Sequence, residues 1–268
     1  MGEVLGLVAG SGRLPFALAR AARAEGYRVV AVGHRGQTDP ALEAEVDQFH
    51  WVWLGQLGRI AGALSKGGAR RAVMGGGLDK TASFSSARPD LAALKLWATL
   101  GKRGDDRVLR AIADWFAQEG IEIVAPDHLL VGCFAEEGPI AGPTPAKEAL
   151  ADAVEGLRIA HLLGQADVGQ TVAIREGAVL AVEAMEGTDA CIRRAGQLAE
   201  RAVVVKAAKP GQDRRFDLPA IGAGTVGVLA AAKARLLAVE AGATIVLDRD
   251  DLKAAAKAAK ISIWGLRP

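Results

Sequence analysis

The chain has 268 residues, is half hydrophobic and carries a formal net charge of +2 at pH 7, so it can bury one large core or two smaller ones. Its lysines and arginines are scattered and aromatic residues make up only 4% of the chain, which argues against a surface that binds nucleic acid. The two cysteines, Cys133 and Cys191, are far apart and neither has the spacing of a metal ligand. We therefore expect a globular protein whose cysteines are small buried residues.

The N-terminal sequence MGEVLGLVAGSG contains neither a basic region nor a long apolar region, so it does not resemble a secretory signal. No apolar run reaches the about 18 to 20 residues that a membrane-spanning helix needs, because Lys233 and Arg235 interrupt the most apolar C-terminal segment. We expect a cytoplasmic protein, whose contact with the inner membrane would be peripheral.

In the first half of the chain, predicted strands alternate with predicted helices. VLGLVAG reads as a strand buried on both faces, and the helical pattern that follows it ends at Gly26; further strands are predicted at YRVVAVG, WVWL and RRAVMGG. Such alternation predicts a parallel, doubly wound sheet. We expect a Rossmann-like nucleotide-binding domain over residues 1–132.

The stretch 133–145 combines three prolines, two glycines and two acids, which is typical of a linker. Beyond it we predict a helix from Lys147, a hairpin that turns at Glu176-Gly177, a strand at RAVVVKAA and a long helix from Thr225 to Gly242. Residues 146–268 should therefore form a second α/β domain, with a mixed sheet and the catalytic groups.

Two glycine-rich turns follow predicted strands of the first half, and the carboxyl ends of parallel strands meet at one edge of a sheet. We expect ligand contacts there, from Gly10, Ser11, Gly12, Gly75 and Gly76, with Asp79, Asp105 and Asp106 at the same edge. The alternative is a tight turn that needs only small residues. A dinucleotide-dependent oxidoreductase is a weaker reading, because Pro15 replaces the third glycine of the dinucleotide fingerprint and no acid follows the second strand.

Ionisable residues are concentrated between Ala181 and Thr225, around glycine and proline turns. Acids beside cations suit a site that handles phosphate with a divalent ion, and oxygen ligands without paired histidines favour Mg²⁺. In the alternative interpretation, acids at the start of a helix merely cap it and KPGQDRR is a solvated loop. The catalytic candidates are Glu183, Glu186, Asp189, Lys206, Lys209, Arg215 and Asp217; further substrate contacts are Thr188, Gln212 and Thr225; the metal candidates are Glu186, Asp189 and Asp213.

These segments resemble one known family. GLVAGSGRLP, KRGDD, DVGQTVAIREGAVLAVEAMEGTDACIRRA, KAAKPGQDRRFDLPAIG and AVEAGATIVLDRD are similar to segments of the LpxI-type UDP-2,3-diacylglucosamine pyrophosphatases of lipid A biosynthesis. The resemblance implies a Rossmann-like N-terminal domain, a family-specific C-terminal domain and substrate bound between them. It also implies Mg²⁺-dependent hydrolysis at the α-phosphate, which yields UMP and 2,3-diacylglucosamine 1-phosphate, and it is compatible with a homodimer.

One position departs from the family pattern. Members carry an aspartate in an IG-x-D-T segment, where this chain has Gly224 in Ile221-Gly222-Ala223-Gly224-Thr225. Either Glu183, Glu186, Asp189, Asp213 or Asp217 suffices for the reaction, or the chain is weakly active or acts on another substrate. A second reading is a non-catalytic sensor of a nucleotide sugar or lipid on the same fold.

Overall fold

The computed structural model of the chain describes residues 2–78, 87–100, 105–216 and 218–268, with the side chains of Asp105 and Asp106 excepted. The chain divides into two compact units. The first unit contains Met1–Val131 and Asp213–Asp217, and the second contains Gly132–Gln212 and Leu218–Pro268. A short segment from the second half of the sequence thus belongs to the first unit.

In the described part of the first unit, five strands form a parallel sheet in the order β3-β2-β1-β4-β5. The strands are β1 (Val4–Ala9), β2 (Arg28–His34), β3 (Gln48–Val52), β4 (Arg71–Gly75) and β5 (Glu122–Ile123), and the helices are α1 (Leu14–Ala24), α2 (Leu57–Lys66), α3 (Leu91–Leu100) and α4 (Asp105–Gln118). Short 3-10 helices cover Pro40–Glu45 and Pro126–Leu130. The predicted Rossmann-like parallel sheet is confirmed.

The order of these strands determines where a ligand would bind. The chain runs from β1 through β2 to β3 on one side and then crosses to β4 on the other side of β1. Such a reversal opens a crevice beyond the carboxyl ends of the two strands that flank it. In this unit those ends are Ala9 of β1 and Gly75 of β4, which precede the two glycine turns.

The second unit contains a six-stranded mixed sheet in the order β6-β13-β11-β9-β7-β8. Its strands are β6 (Gly138–Ala141), β7 (Thr171–Arg175), β8 (Ala178–Val182), β9 (Val203–Lys206), β11 (Leu236–Glu240) and β13 (Ser262–Leu266), while β10 (Ala220–Ile221) and β12 (Ile245–Val246) form a separate parallel pair. The helices are α5 (Lys147–Gln165), α6 (Thr188–Leu198), α7 (Ala223–Ala231) and α8 (Arg249–Ala259). β9, β11 and β13 run parallel, and β6, β7 and β8 are antiparallel to their neighbours. The predicted mixed sheet is confirmed.

Helices cover both faces of this sheet. Side chains of α5 pack with Val203 and Val205, whereas those of α6, α7 and α8 pack with Val204 on the opposite face. Because side chains alternate along a strand, Lys206 at the end of β9 points to the same side as Val204. Lys206 therefore lies on the face covered by α6 and α7.

The predicted hairpin is present, and its turn residues Glu176 and Gly177 both have positive φ, at 51° and 78°. Such φ values are typical of the two-residue turns that match strand twist. Two other predictions were wrong. The supposed linker 133–145 includes β6, whose Pro139 is tolerated because β6 is an edge strand. The supposed helix from Thr225 to Gly242 ends at Ala231, and its apolar end LLAVE forms the buried strand β11, an ambiguity common for short apolar runs.

Within the described residues, no helix has both the length and the apolar composition needed to cross a membrane.

Candidate active site

The two glycine turns of the first unit are joined by hydrogen bonds. The Gly10 N–H donates to Gly75 O (2.8 Å), and the Ser11 N–H and Oγ both donate to Gly77 O (2.7 and 2.9 Å). The Gly77 N–H donates back to Ser11 O at 3.2 Å. The structure thus brings together Gly10, Ser11 and Gly12, which follow β1, and Gly75 and Gly76, at and after the end of β4.

The glycines of these turns differ in how much open space lies beside their Cα atoms. A Cβ atom at Gly10 would lie 2.4 Å from Gly77 O, and one at Gly76 would lie 2.4 Å from Ser11 O, so close backbone packing explains both. Gly12 has φ +86° and open space beside its Cα. It precedes α1, whose first turn has no side-chain cap, and uncapped N–H groups at a helix start can bind an anion.

A buried histidine, which the sequence reasoning did not select, supports this turn. His34 is 4% exposed, and its Nδ1 lies 3.0 Å from Ala9 O, the carbonyl just before Gly10. Thr38 Oγ1 donates to the same carbonyl at 2.7 Å and accepts from the His34 N–H at 2.9 Å. Burial lowers the pKa of His34, so the ring is neutral near pH 7 and Nδ1 holds the proton that it donates. The sequence contains one signal for this role, because His34 lies at the end of an apolar strand.

In the second unit, Glu183 lies immediately after β8 and is only 8% exposed. Its Oε1 accepts a 3.0 Å hydrogen bond from Thr188 Oγ1, which lies 3.4 Å from Thr171 Oγ1. Its Oε2 is buried and has no hydrogen-bond partner among the described residues. A buried carboxylate oxygen without a partner is costly, and such groups are candidates for chemistry.

Lys206 lies at the same end of the sheet, in β9 on the other side of β7. It is the cross-strand partner of Thr171, so the two side chains share a face. Lys206 Nζ donates to Ala220 O in β10 at 3.2 Å. The structure therefore gathers Glu183, Thr188 and Thr171 at the end of the sheet where Lys206 also lies.

The N-terminal turn of α7 contains two predicted positions. Thr225 Oγ1 accepts from the Gly222 N–H at 3.4 Å, an arrangement that caps the helix. Gly224 is exposed, and a Cβ atom there would meet nothing within 4 Å. An aspartate would therefore fit at Gly224 without displacing a neighbour.

The other two acids that follow β8 are exposed and bound in ion pairs. Glu186 Oε1 accepts from Arg194 at 2.6 Å, and its Oε2 accepts from the Ala184 N–H at 3.1 Å. Hydrogen bonds from the backbone and from Arg194 lower the pKa of Glu186. Asp189, in the first turn of α6, lies 3.7 Å from Arg193. Neither acid is held in a buried setting like that of Glu183.

The remaining predicted residues fall in two places. In the second unit, Lys209 Nζ donates to Asp167 at 2.6 Å and its N–H donates to Gln212 Oε1 at 3.1 Å. Asp213 and Arg215 belong to the first unit, where the Arg215 side chain donates to both carboxylate oxygens and lowers the pKa of Asp213.

Four acids of the prediction cannot be compared with the structure. Asp217 and Asp79 lie outside the described residues, and the Asp105 and Asp106 side chains do so as well.

The predicted metal ligands do not form a resident metal site in the part of the chain that the structure describes. That part contains no group of three His, Cys, Asp or Glu side chains placed to hold an ion. Glu186 and Asp189 pair with arginines of α6, and Asp213 pairs with Arg215 of the first unit. Each of the three predicted metal ligands is thus paired with an arginine in the structure.

Two solved structures show a weak likeness. The biotin carboxylase domain of 2-oxoglutarate carboxylase from Hydrogenobacter thermophilus is 16% identical, with a TM-score of 0.29 over 66% of this chain and 36% of that one. The biotin carboxylase subunit of pyruvate carboxylase is 13% identical, with a TM-score of 0.28 over 69% of this chain and 39% of that one. The chain thus spans little more than a third of either carboxylase, and TM-scores this low do not show a shared fold.

Sequence comparison gives a stronger result. The chain is 36% identical over 276 residues to the UDP-2,3-diacylglucosamine pyrophosphatase LpxI of Caulobacter vibrioides, and the match covers 98% of each protein. The LpxI N-terminal domain model matches residues 4–133, and the LpxI C-terminal domain model matches residues 136–264. The chain therefore belongs to the LpxI family.

Proposed function

We propose that this chain is a UDP-2,3-diacylglucosamine pyrophosphatase that acts in lipid A biosynthesis. The observation that carries the proposal is the match along 98% of both chains to a relative of that name. Water would attack the α-phosphorus, and the bond from that phosphorus to the bridging oxygen would break. The products would be UMP and 2,3-diacylglucosamine 1-phosphate, with the bridging oxygen leaving on the sugar phosphate.

We assign recognition of the nucleotide to the first unit. Support comes from the crevice at the carboxyl ends of β1 and β4 and from the open space at Gly12 beside the uncapped start of α1. Phosphate oxygens would accept hydrogen bonds from these backbone N–H groups. His34 would hold the turn in place through Ala9 O rather than touch the ligand.

We assign the activation of water to Glu183 of the second unit. Its buried Oε2 lacks a partner among the described residues, while Thr188 fixes the orientation of the carboxylate through Oε1. A carboxylate held in this way can accept a proton from water. Lys206 would stabilise the negative charge that develops on the phosphoryl oxygens.

The other candidates are assigned secondary roles. Glu186, Asp189, Lys209 and Arg215 remain proposed contributors, although each is engaged in an ion pair in the structure. The geometry therefore favours Glu183 over Glu186 and Asp189 as the base.

We also propose that turnover requires Mg²⁺. Because Mg²⁺ is commonly bound through one or two carboxylates together with substrate phosphates, the ion would arrive with the diphosphate. Binding of Mg²⁺ together with the substrate agrees with the lack of a three-ligand group among the described side chains. When bound, the ion would neutralise charge on the diphosphate.

Gly224 supports one alternative, a sensor that binds the same nucleotide sugar without cleaving it. The experiment is to incubate the pure protein with UDP-2,3-diacylglucosamine and Mg²⁺ and to measure UMP. Release of UMP supports the enzyme. Binding without release, together with UMP release by Gly224→Asp, would identify a chain that has lost the chemistry of its family.

A further inference from the structure

Helix α3 (Leu91–Leu100) of the first unit has an unusual composition for an exposed helix. Its sequence LAALKLWATL contains only two polar residues, Lys95 and Thr99. Leu91, Leu94 and Trp97 are 76%, 51% and 61% exposed. These three, at positions i, i+3 and i+6, lie along one side of the helix, and we call them the α3 apolar face.

The opposite side of α3 already has its partners. Ala93 and Leu100 are buried, and Ala93 and Leu96 pack on the hydrophobic core of the first unit. A helix that is apolar all round is normally covered on every side. The packing of the first unit therefore accounts for one side of α3 and leaves the α3 apolar face without a protein partner in the described residues.

The charged residues around α3 indicate the kind of partner that would cover the α3 apolar face. The one charged residue of the helix is Lys95. Two helices pack against α3: α2 carries exposed Arg59 and Lys66 and no acid, and the described charged side chains of α4 are Arg107, Arg110 and Asp114. Asp90, just before α3, is engaged as a cap, since its carboxylate accepts from the Gly58 N–H (2.8 Å) and the Ala93 N–H (3.0 Å). The surroundings are thus suited to a negatively charged partner.

We propose that the α3 apolar face docks onto the surface of an anionic lipid bilayer. Leucine and tryptophan on one side with lysine and arginine beside them is the composition of helices that lie in the membrane interface. Anionic lipids attract such basic residues. The choice of a bilayer over a protein partner rests on the proposed function, because a diacylated substrate resides in a membrane. Docking by α3 would place the first unit at the surface from which that substrate is taken.

Co-sedimentation with vesicles tests this surface. Wild-type protein should bind vesicles that contain phosphatidylglycerol and should bind pure phosphatidylcholine vesicles more weakly. Leu94→Glu should weaken binding to the anionic vesicles at least about tenfold, since it puts a carboxylate into the apolar contact. The matched control is Leu162→Glu on α5, because Leu162 has the same exposure of 51% and lies in the second unit.

A fluorescence measurement follows Trp97 itself. Vesicles with brominated acyl chains should quench part of the emission of the five tryptophans. In Trp97→Phe the quenching should be lost while sedimentation with vesicles persists, because phenylalanine keeps the apolar contact. Quenching that survives in Trp97→Phe would overturn the assignment of the docking surface to α3.

Activity measurements separate this proposal from the enzymatic one. Leu94→Glu should hydrolyse detergent-dispersed substrate at the wild-type rate, because α3 has no assigned part in the chemistry. If the wild type hydrolyses the substrate but does not bind vesicles, the docking proposal is overturned and the proposed function stands. If it binds vesicles but does not hydrolyse the substrate, the proposed function is overturned and the docking proposal stands. Self-association that Leu94→Glu abolishes, without vesicle binding, would show that a second copy covers the face and would overturn the proposal.

Discussion

Thr188 donates a 3.0 Å hydrogen bond to Oε1 of Glu183, whose Oε2 is buried and has no partner among the described residues. Because a hydroxyl has one proton, Thr188 must accept in its 3.4 Å contact with Thr171, which donates. The three side chains therefore form a directed chain that ends at the carboxylate. This relationship distinguishes Glu183 from the exposed acids that follow it in the sequence.

We predict that Glu183→Gln lowers kcat by about 10²-fold or more, the scale of losing a general base. Glutamine keeps the volume and can still accept from Thr188, so the melting temperature should change little. Glu148→Gln is the matched control, because Glu148 is an exposed glutamate of the same unit and has no assigned part in the reaction. Steady-state kinetics of both variants decide the point; an unchanged kcat in Glu183→Gln would show that this carboxylate is structural.

We predict that Gly12→Val weakens the binding of UMP, since the new side chain would occupy the open space at the start of α1. Gly26→Val is the control. Gly26 also has a positive φ, of +87°, and open space at its Cβ, so the two substitutions impose similar backbone strain. Calorimetric titration with UMP should show weaker binding in Gly12→Val alone. Equal affinities in the two variants would move the nucleotide away from this turn.

We predict that EDTA abolishes turnover and that added Mg²⁺ restores it. The diphosphate provides oxygen ligands of the kind that Mg²⁺ prefers. Thermal unfolding of the free protein should be the same with and without EDTA, because the described acids form no resident metal site. Full activity in the chelator would refute the metal requirement, whereas a lower melting temperature would reveal a bound ion in the free protein.

We predict that His34 makes the fold sensitive to mild acid. Its folded-state pKa lies below the ordinary value of 6.5 because of burial, so the unfolded chain binds the proton more readily. The stability that neutral His34 contributes is present above about pH 6.5 and is lost as the pH falls through the folded-state pKa. Urea unfolding of His34→Asn between about pH 7 and about pH 5 should show a smaller loss of stability than the wild type. An identical pH dependence in the two proteins would assign the acid sensitivity to other groups.

The sequence predicted the layout of the first sheet because β1, β2 and β4 are largely buried apolar runs that end at or next to a glycine. It could not predict that LLAVE forms a strand, since a short apolar run fits a helix equally well. It also did not indicate that the segment KPGQDRRF contributes to both units. Phe216 is 3% exposed and packs in the core of the first unit, and Arg214 Nε donates to Asp127 there at 2.6 Å. A single aromatic residue among charges gives no periodic signal, so the unit to which it belongs depends on tertiary packing alone.

Within the candidate site, the glycine turns were predictable because ligands of parallel sheets gather at the ends of the strands. The difference between Glu183 and Asp189 was not predictable from spacing. It depends on Thr171, a residue 12 positions before Glu183 in the sequence, which reaches Thr188 only because β7 and β8 pair.

The central claim is hydrolysis at the α-phosphorus, and isotope labelling tests it most directly. The protein is incubated with UDP-2,3-diacylglucosamine and Mg²⁺ in water enriched in oxygen-18, and both phosphate products are examined by mass spectrometry. We predict UMP and 2,3-diacylglucosamine 1-phosphate in equal amounts, with one labelled oxygen in UMP and none in the sugar phosphate. Label in the sugar phosphate, release of UDP instead of UMP, or no turnover by folded protein that binds UMP would contradict the account.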